Sequence, residues 1–162
     1  MKTLALVRHA KSSWDDPTLD DHDRPLNDRG RSDAPMMGRR LHERGFAPDV
    51  ILSSTAARAQ ATAEAIAAEL GYHLDEIVTI PSLYGASPAT MLAIVGALDD
   101  ALGSAMLVAH DPGMSELASH LSADIDRMPT CAVAEFTFDV ASWRDVPGAW
   151  PETARFDSPR RA

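Results

Sequence analysis

The sequence predicts an α/β protein of three layers, in which a mostly parallel central sheet carries helices on both faces. Short apolar runs alternate along the chain with stretches of helical spacing. The expected strands cover residues 2–8, 49–53, 77–80 and 105–109, and each is dense in Val, Ile, Leu or Ala. Such runs are typical of strands covered on both faces. Because strands alternate with helices, parallel pairing is favoured.

One helix is marked most clearly by its apolar spacing. Ala59, Ala63, Ile66 and Leu70 recur at steps of four, three and four, and Gly71 follows where a C-cap is expected. These four side chains lie on one face of a helix and predict that this face packs against the sheet.

Three more helices are predicted from their end signals. One is expected to begin near Pro35, with Leu41 on its buried side and Gly45 beyond its end. The others begin at Ser87-Pro88, an N-cap followed by a first-turn proline, and after Pro112-Gly113. Their buried stripes are Met91, Leu92, Val95 and Leu98 in the first, and Met114, Leu117, Ala118 and Leu121 in the second.

Three segments do not follow the alternation of strand and helix. Residues 132–139 alternate apolar with polar side chains, which predicts a half-exposed strand near the edge of the sheet. Residues 15–28 are rich in Asp, Pro and Asn and predict a long loop over the carboxyl edge of the sheet. Residues 144–162 predict a loosely packed tail, anchored by Trp143 and Trp150.

Length and charge limit the class of protein. The 162 residues predict a single domain, 1–162, and the net charge of −9 argues against binding to nucleic acid or to an anionic membrane. Cys131 is the only cysteine, so no internal disulfide is expected. No apolar run is long enough for a membrane span. We expect a cytoplasmic monomer.

Arginine and histidine residues follow three of the predicted strands. Arg8 and His9 end the run 2–8, Arg58 closes the polar segment after 49–53, and His110 follows 105–109. In open α/β sheets, ligands bind in the crevice beyond the carboxyl ends of the strands. We therefore expect these four side chains to meet at one edge of the sheet.

These residue types suit the transfer of a phosphoryl group. An arginine donates paired hydrogen bonds to phosphoryl oxygens, and Arg58 also gains from the positive end of its helix dipole. The neutral imidazole of His9 is a nucleophile if an acceptor holds its other ring nitrogen. His110, as an imidazolium near a helix N-terminus, is expected to donate to the same oxygens. Trp14, close to the first pair, is expected to pack rather than to line the cleft.

The motifs resemble those of the histidine phosphatase superfamily, once grouped as phosphoglycerate-mutase-like proteins. Leu6-Val7-Arg8-His9-Ala10-Lys11 resembles its Arg-His-Gly signature, and residues 53–63 and 109–113 resemble its second arginine and second histidine segments. The short length and Arg24-Pro25-Leu26-Asn27-Asp28-Arg29-Gly30 are similar to SixA-type phosphohistidine phosphatases. The resemblance covers residues 2 to 140, and it implies the phosphoglycerate-mutase-like form of the α/β fold.

The resemblance also implies the roles of the site residues. His9 takes the phosphoryl group, and water then hydrolyses the phosphohistidine intermediate. Arg8, Arg58 and His110 bind phosphate, and Arg24 is a further ligand that reaches in from the long loop. No metal and no other cofactor is required.

The sequence departs from the family pattern at two places. Ala10 replaces the usual glycine, and residues 81–85 lack the glutamate with which many relatives protonate the leaving group. A sugar alcohol leaves poorly without a proton donor, whereas a protonated phosphoimidazole leaves as neutral imidazole. The sequence therefore favours a P–N substrate. The alternative is that another carboxyl group protonates the leaving group, either Asp111 or one of Asp16, Asp21 and Asp23.

The expected function is hydrolysis of phosphohistidine on a partner protein. The enzymatic alternative is a phosphomonoesterase or mutase of the same superfamily that acts on a small phosphorylated compound. The alternative of another class is a non-catalytic module that binds phosphate. An intact His9 disfavours the module, because a protein that only binds phosphate does not need a nucleophile.

Overall fold

The computed structural model describes residues 1–160, and six strands form one sheet. The strands are β1 (Lys2–Arg8), β2 (Val50–Ser53), β3 (Val78–Thr79), β4 (Ser104–Ala109), β5 (Val133–Phe138) and β6 (Thr153–Asp157). They lie in the order β3-β2-β4-β1-β5-β6. β3, β2, β4 and β1 are parallel, whereas β5 is antiparallel to both of its neighbours. The prediction of a mostly parallel sheet is confirmed.

Four helices cover the two faces of this sheet. They are α1 (Asp28–Glu43), α2 (Ala57–Leu70), α3 (Pro88–Gly96) and α4 (Gly113–Leu121). Alternate side chains of β1 point to opposite faces: Ala5 and Val7 pack with α1 and α2, and Leu4 and Leu6 pack with α3 and α4. All four side chains are fully buried, which confirms the three layers. Within residues 1–160, no helix has the length and apolar character to cross a membrane.

The first helix begins earlier than predicted. The side chain of Asn27 accepts a hydrogen bond from the N–H of Gly30 at 2.9 Å and caps α1, so Pro35 lies inside the helix rather than near its start. Gly30 is required here, because a Cβ at this position would lie 2.1 Å from the Lys11 oxygen. The predicted end is correct, since Gly45 follows the helix with a φ of 80°.

At each edge of the sheet lies a strand that the sequence did not predict in full. The run 77–80 forms only the two-residue strand β3, and both residues are exposed, because β2 is its one neighbour in the sheet. Residues 132–139 contain β5, which lies next to the edge of the sheet as predicted. The edge strand itself is β6, which pairs along the outer side of β5 and was not predicted.

The expected loosely packed tail over residues 144–162 is largely structured. A 3-10 helix over Trp143–Gly148 precedes β6. Trp143 is fully buried and donates from Nε1 to the Leu102 oxygen at 2.7 Å, so it anchors the segment as predicted. Trp150 is 70% exposed and does not anchor the segment. Pairing of β6 with β5 orders the rest, and residues 161–162 lie outside the described part.

Candidate active site

His9 lies directly beyond β1 and is 7% exposed. Its Nδ1 lies 2.7 Å from the backbone oxygen of Ala10. Because a carbonyl oxygen can only accept, Nδ1 carries the proton and Nε2 keeps its lone pair. The N–H of Ala10 donates in turn to Thr62 Oγ1 at 2.9 Å, so the backbone that orients the imidazole is itself fixed.

The surroundings keep His9 neutral. Burial, and then the charges of Arg58, Arg8 and Arg24, lower its pKa to about 4, against the opposing effect of the hydrogen bond to Ala10. At neutral pH the imidazole is therefore unprotonated at Nε2, which is the state that a nucleophile needs.

Arg8, the last residue of β1, is held on one side of its guanidinium. Nη1 donates to the backbone oxygen of Met128 at 2.9 Å and lies 3.5 Å from Asp111 Oδ2. Its Nε is buried and has no hydrogen-bond partner among the described residues. One side of the group is thus anchored, and a buried donor remains for a ligand.

Arg58, in the first turn of α2, shows the same pattern and is 6% exposed. Nη1 donates to the backbone oxygen of Asp21 at 2.7 Å, and Nη2 donates to Asp21 Oδ2 at 3.0 Å. Its Nε is also buried without a partner in the described part of the chain. The helix dipole adds positive potential at this position.

His110 follows β4, and its ring centroid lies 5.1 Å from that of His9. Nε2 lies 2.7 Å from Ser54 Oγ, which also accepts from the N–H of Ala56. We assign the hydroxyl proton of Ser54 to the hydrogen bond with Nε2, which places the proton of a neutral His110 on Nδ1. That nitrogen is buried, with no partner in residues 1–160.

The expected imidazolium at His110 is wrong for the free protein. Burial lowers the pKa of His110 to about 3, with further lowering by His9 and Arg58. In the tautomer assigned here, the neutral ring donates from Nδ1. A donor is thus available without a positive charge.

Arg24 reaches the site from the long loop, as the motif suggests. It is 7% exposed, and its Nε and Nη1 donate to Asp21 Oδ1 at 3.2 Å and to the Ser13 oxygen at 3.1 Å. Trp14 stacks on the guanidinium at 3.4 Å from Cζ to the ring centroid. Trp14 was expected to pack rather than to line the cleft, but it is 72% exposed beside Arg24.

Asp111 serves as a support in this arrangement. Its Oδ1 and Oδ2 accept from the N–H and the hydroxyl of Ser115 at 2.9 and 2.8 Å, which ties it to the first turn of α4. Its other neighbour is Arg8.

The loop carboxylates have other partners. Hydrogen bonds from Tyr84 and Arg58 hold the pKa of Asp21 well below its usual range. Asp16 is exposed and accepts from Thr18, and Asp23 is exposed and pairs with His22. The loop itself contains one 3-10 turn, Asp21–Asp23, before α1 begins.

The arrangement is suited to a tetrahedral anion. Arg8 Nε, Arg58 Nε and His110 Nδ1 are buried and have no partners among the described residues. The charges of the two arginines act on the pKa of His9, and the ring of His110 lies 5.1 Å from that of His9. Leaving buried donors unpaired is costly, and a phosphoryl group supplies three oxygens that can accept from them. Within residues 1–160, no three His, Cys, Asp or Glu side chains are grouped to hold a metal ion.

Sequence reasoning did not identify several residues that shape the site. Ser54 lies within the second arginine segment, residues 53–63, but no sequence pattern indicates its hydrogen bond to His110. Tyr84 lies in residues 81–85, which lack the family glutamate, and its hydroxyl donates to Asp21 Oδ2 at 2.5 Å. The Met128 oxygen, which holds Arg8, lies 120 residues away and has no sequence signal.

Comparison with known proteins shows the family of this chain. The model of the histidine phosphatase superfamily (branch 1) matches residues 4–84. An uncharacterised chloroplastic protein of Arabidopsis thaliana is 33% identical, over 92% of this chain and 74% of its own length. The SixA structure from Agrobacterium tumefaciens is 29% identical with a TM-score of 0.81, and the match covers 98% of this chain and 99% of that one.

A second solved structure supports the fold alone. The protein histidine phosphatase SixA complexed with tungstate is 22% identical with a TM-score of 0.78, and the match covers 97% of both chains. The fold is thus the phosphoglycerate-mutase-like fold that the motifs implied. The chain belongs to the histidine phosphatase superfamily and is of the SixA type.

Proposed function

We propose that this protein is a phosphatase that removes phosphate from phosphohistidine on a partner protein, through a covalent intermediate on His9. One observation carries the proposal: a neutral imidazole with Nδ1 fixed by Ala10 lies near three buried donors that have no partner in residues 1–160. A module that only binds phosphate needs the donors but not the oriented nucleophile. The chain's own side chains supply both, so we propose that no metal or other cofactor takes part.

In the first step, Nε2 of His9 attacks phosphorus, and the P–N bond of the substrate breaks. The electron pair of that bond goes to the substrate nitrogen. Negative charge on the three equatorial oxygens is stabilised by donation from Arg8, Arg58 and His110, with Arg24 as a further donor. The Ala10 oxygen accepts from Nδ1 and stabilises the positive charge that develops on the ring.

In the second step, water attacks the phosphorus of phospho-His9. The P–Nε2 bond breaks, its electron pair returns to the imidazole, and both protons of the water leave with inorganic phosphate. His9 is then neutral again, which its lowered pKa favours at neutral pH.

The carboxylates support a P–N substrate rather than an alkyl ester. Asp21 is ionised because its pKa is held well below the usual range by Tyr84 and Arg58, and Asp111 accepts from Ser115 and faces Arg8. Asp21 is therefore not a proton donor, and the carboxylate oxygens of Asp111 are taken by Ser115 and Arg8. A protonated phosphoimidazole does not need a proton donor, since it departs as neutral imidazole. Action as a cytoplasmic monomer stays a prediction of the sequence.

The test compares substrates in the wild type and in His9→Ala. We expect a phosphohistidine protein to be hydrolysed faster than phosphoserine or a sugar phosphate, and His9→Ala to lose this activity. His42→Ala is the matched control, because His42 is exposed on α1. Activity retained in His9→Ala contradicts the proposal. A preference for sugar phosphates favours the monoesterase alternative, and phosphate binding without turnover favours the binding module.

A further inference from the structure

Asp21 joins three side chains of the active site. Its Oδ2 accepts from Arg58 Nη2 at 3.0 Å and from the Tyr84 hydroxyl at 2.5 Å, and its Oδ1 accepts from Arg24 Nε at 3.2 Å. Its backbone oxygen also accepts from Arg58 Nη1 at 2.7 Å. One loop residue thus binds two arginines that come from different segments of the chain.

These contacts use only part of each guanidinium. Asp21 takes both terminal nitrogens of Arg58, on the edge away from Nε, and Nε remains buried without a partner among the described residues. In Arg24, Asp21 and the Ser13 oxygen take Nε and Nη1, which leaves Nη2. A guanidinium is planar and rigid. Holding two nitrogens of such a group therefore fixes the direction of its remaining N–H groups.

The loop that carries Asp21 is itself docked on the site. His22, the next residue, places Nε2 2.8 Å from Thr55 Oγ1 beside the start of α2. Tyr84 packs edge-on against His22 and His110, with centroid distances of 4.9 and 5.4 Å. The carboxylate is thus held from both sides, by the loop and by Tyr84.

We propose that Asp21 is a positioning residue of the phosphate site, and that its carboxylate turns Arg58 and Arg24 so that their remaining donors face the phosphoryl group attacked by His9. This inference rests on the proposed function. Asp21 does not act as the acid for the leaving group, because both of its oxygens already accept hydrogen bonds from the arginines and Tyr84. Its effect on the rate passes through the arginines.

A double-mutant cycle measures whether Asp21 acts through Arg58. The substrate is phosphoramidate, a P–N compound without a side chain, so contacts with a partner protein do not enter. We expect Asp21→Asn to lower kcat about tenfold or more, the effect of losing a charged hydrogen bond. In an Arg58→Ala background the same change should lower kcat by less than about threefold, because coupled residues are not additive.

The two tyrosines supply a matched pair. Tyr84→Phe keeps the ring against the histidines and removes one hydrogen bond to Asp21, so kcat should fall by a smaller factor than in Asp21→Asn. Tyr72→Phe removes a hydroxyl that bonds Ile51 and Glu76 instead. It should leave kcat unchanged, and thermal unfolding of each variant checks that the fold is retained.

Calorimetry of tungstate binding to the wild type and the variants of the cycle distinguishes an effect of arginine orientation from an effect of net charge. This measurement does not depend on turnover. Removing a carboxylate makes the site more positive, so an effect of charge alone would tighten tungstate binding. We expect no tightening in Asp21→Asn, because the arginines lose their orientation. The inference is overturned by equal effects of Asp21→Asn with and without Arg58, or by tighter tungstate binding with unchanged kcat. Failure of the proposed function appears separately, as poor hydrolysis of phosphohistidine by the wild type.

Discussion

The two active-site histidines should make the free energy of unfolding depend on pH between 7 and 5. In the native protein the pKa of His9 is lowered to about 4 and that of His110 to about 3, whereas an unfolded histidine titrates near 6.5. The unfolded chain therefore binds protons in this window that the native protein does not. The stability that the two neutral histidines contribute is fully present above the unfolded pKa. It is lost as the pH falls toward the pKa values of the native protein.

The size of the loss follows from these values. For each histidine, lowering the pH from 7 to 5 costs about 2 kcal/mol of unfolding free energy, and the pair costs about 4 kcal/mol. Most carboxylates of an unfolded chain titrate below this window, so the histidines dominate the difference between variants. The loss is large beside the usual 5–15 kcal/mol of a domain.

Urea unfolding at pH 7 and pH 5 measures the loss, and His9→Asn and His110→Asn assign it. Each variant should lose about 2 kcal/mol less than the wild type over this range, even if its stability at pH 7 is lower. The wild-type loss, undiminished in His110→Asn, would refute the reasoning, because it would mean that the native protein does not lower the pKa of His110. The same result in His9→Asn would contradict the lowered pKa of His9.

Two more substitutions test parts of the structure. Ser54→Ala should lower kcat about tenfold by releasing the tautomer of His110, which 15N NMR of the ring detects; an unchanged rate and spectrum would exclude this role. Gly113→Ala should destabilise the fold by about 1–3 kcal/mol, because its Cβ would lie 2.0 Å from the Ala86 oxygen. Gly148→Ala, with nothing within 4 Å of its Cβ, is the control in thermal unfolding, and equal melting temperatures would contradict the packing.

The positions of the site residues could be predicted because they depend on strand ends. His9, Arg58 and His110 follow β1, β2 and β4, which are adjacent and parallel, so their carboxyl ends meet at one edge. Apolar runs and end signals locate such strands well enough for this purpose. The residues that orient these side chains depend on loop conformation, and no pattern in the sequence specifies that Asp21 bridges Arg58 and Arg24.

The wrong fold predictions have a common physical cause. Pro35 suggested a helix start by local preference, but the Asn27 cap and the close approach of Gly30 to Lys11 start α1 earlier. The tail looked irregular from its proline and glycine content. Its order comes from pairing of β6 with β5 and from burial of Trp143, and such long-range contacts do not appear in local composition.

The central claim is that His9 carries the phosphoryl group, and rapid-quench trapping tests it directly. The protein is mixed with a 32P-labelled phosphohistidine substrate, and the label on the chain is located by peptide mapping under alkaline conditions, which preserve phosphohistidine. We predict acid-labile label on the peptide that contains His9, and none in His9→Ala. Label on another residue, or turnover without any labelled protein, would contradict the account.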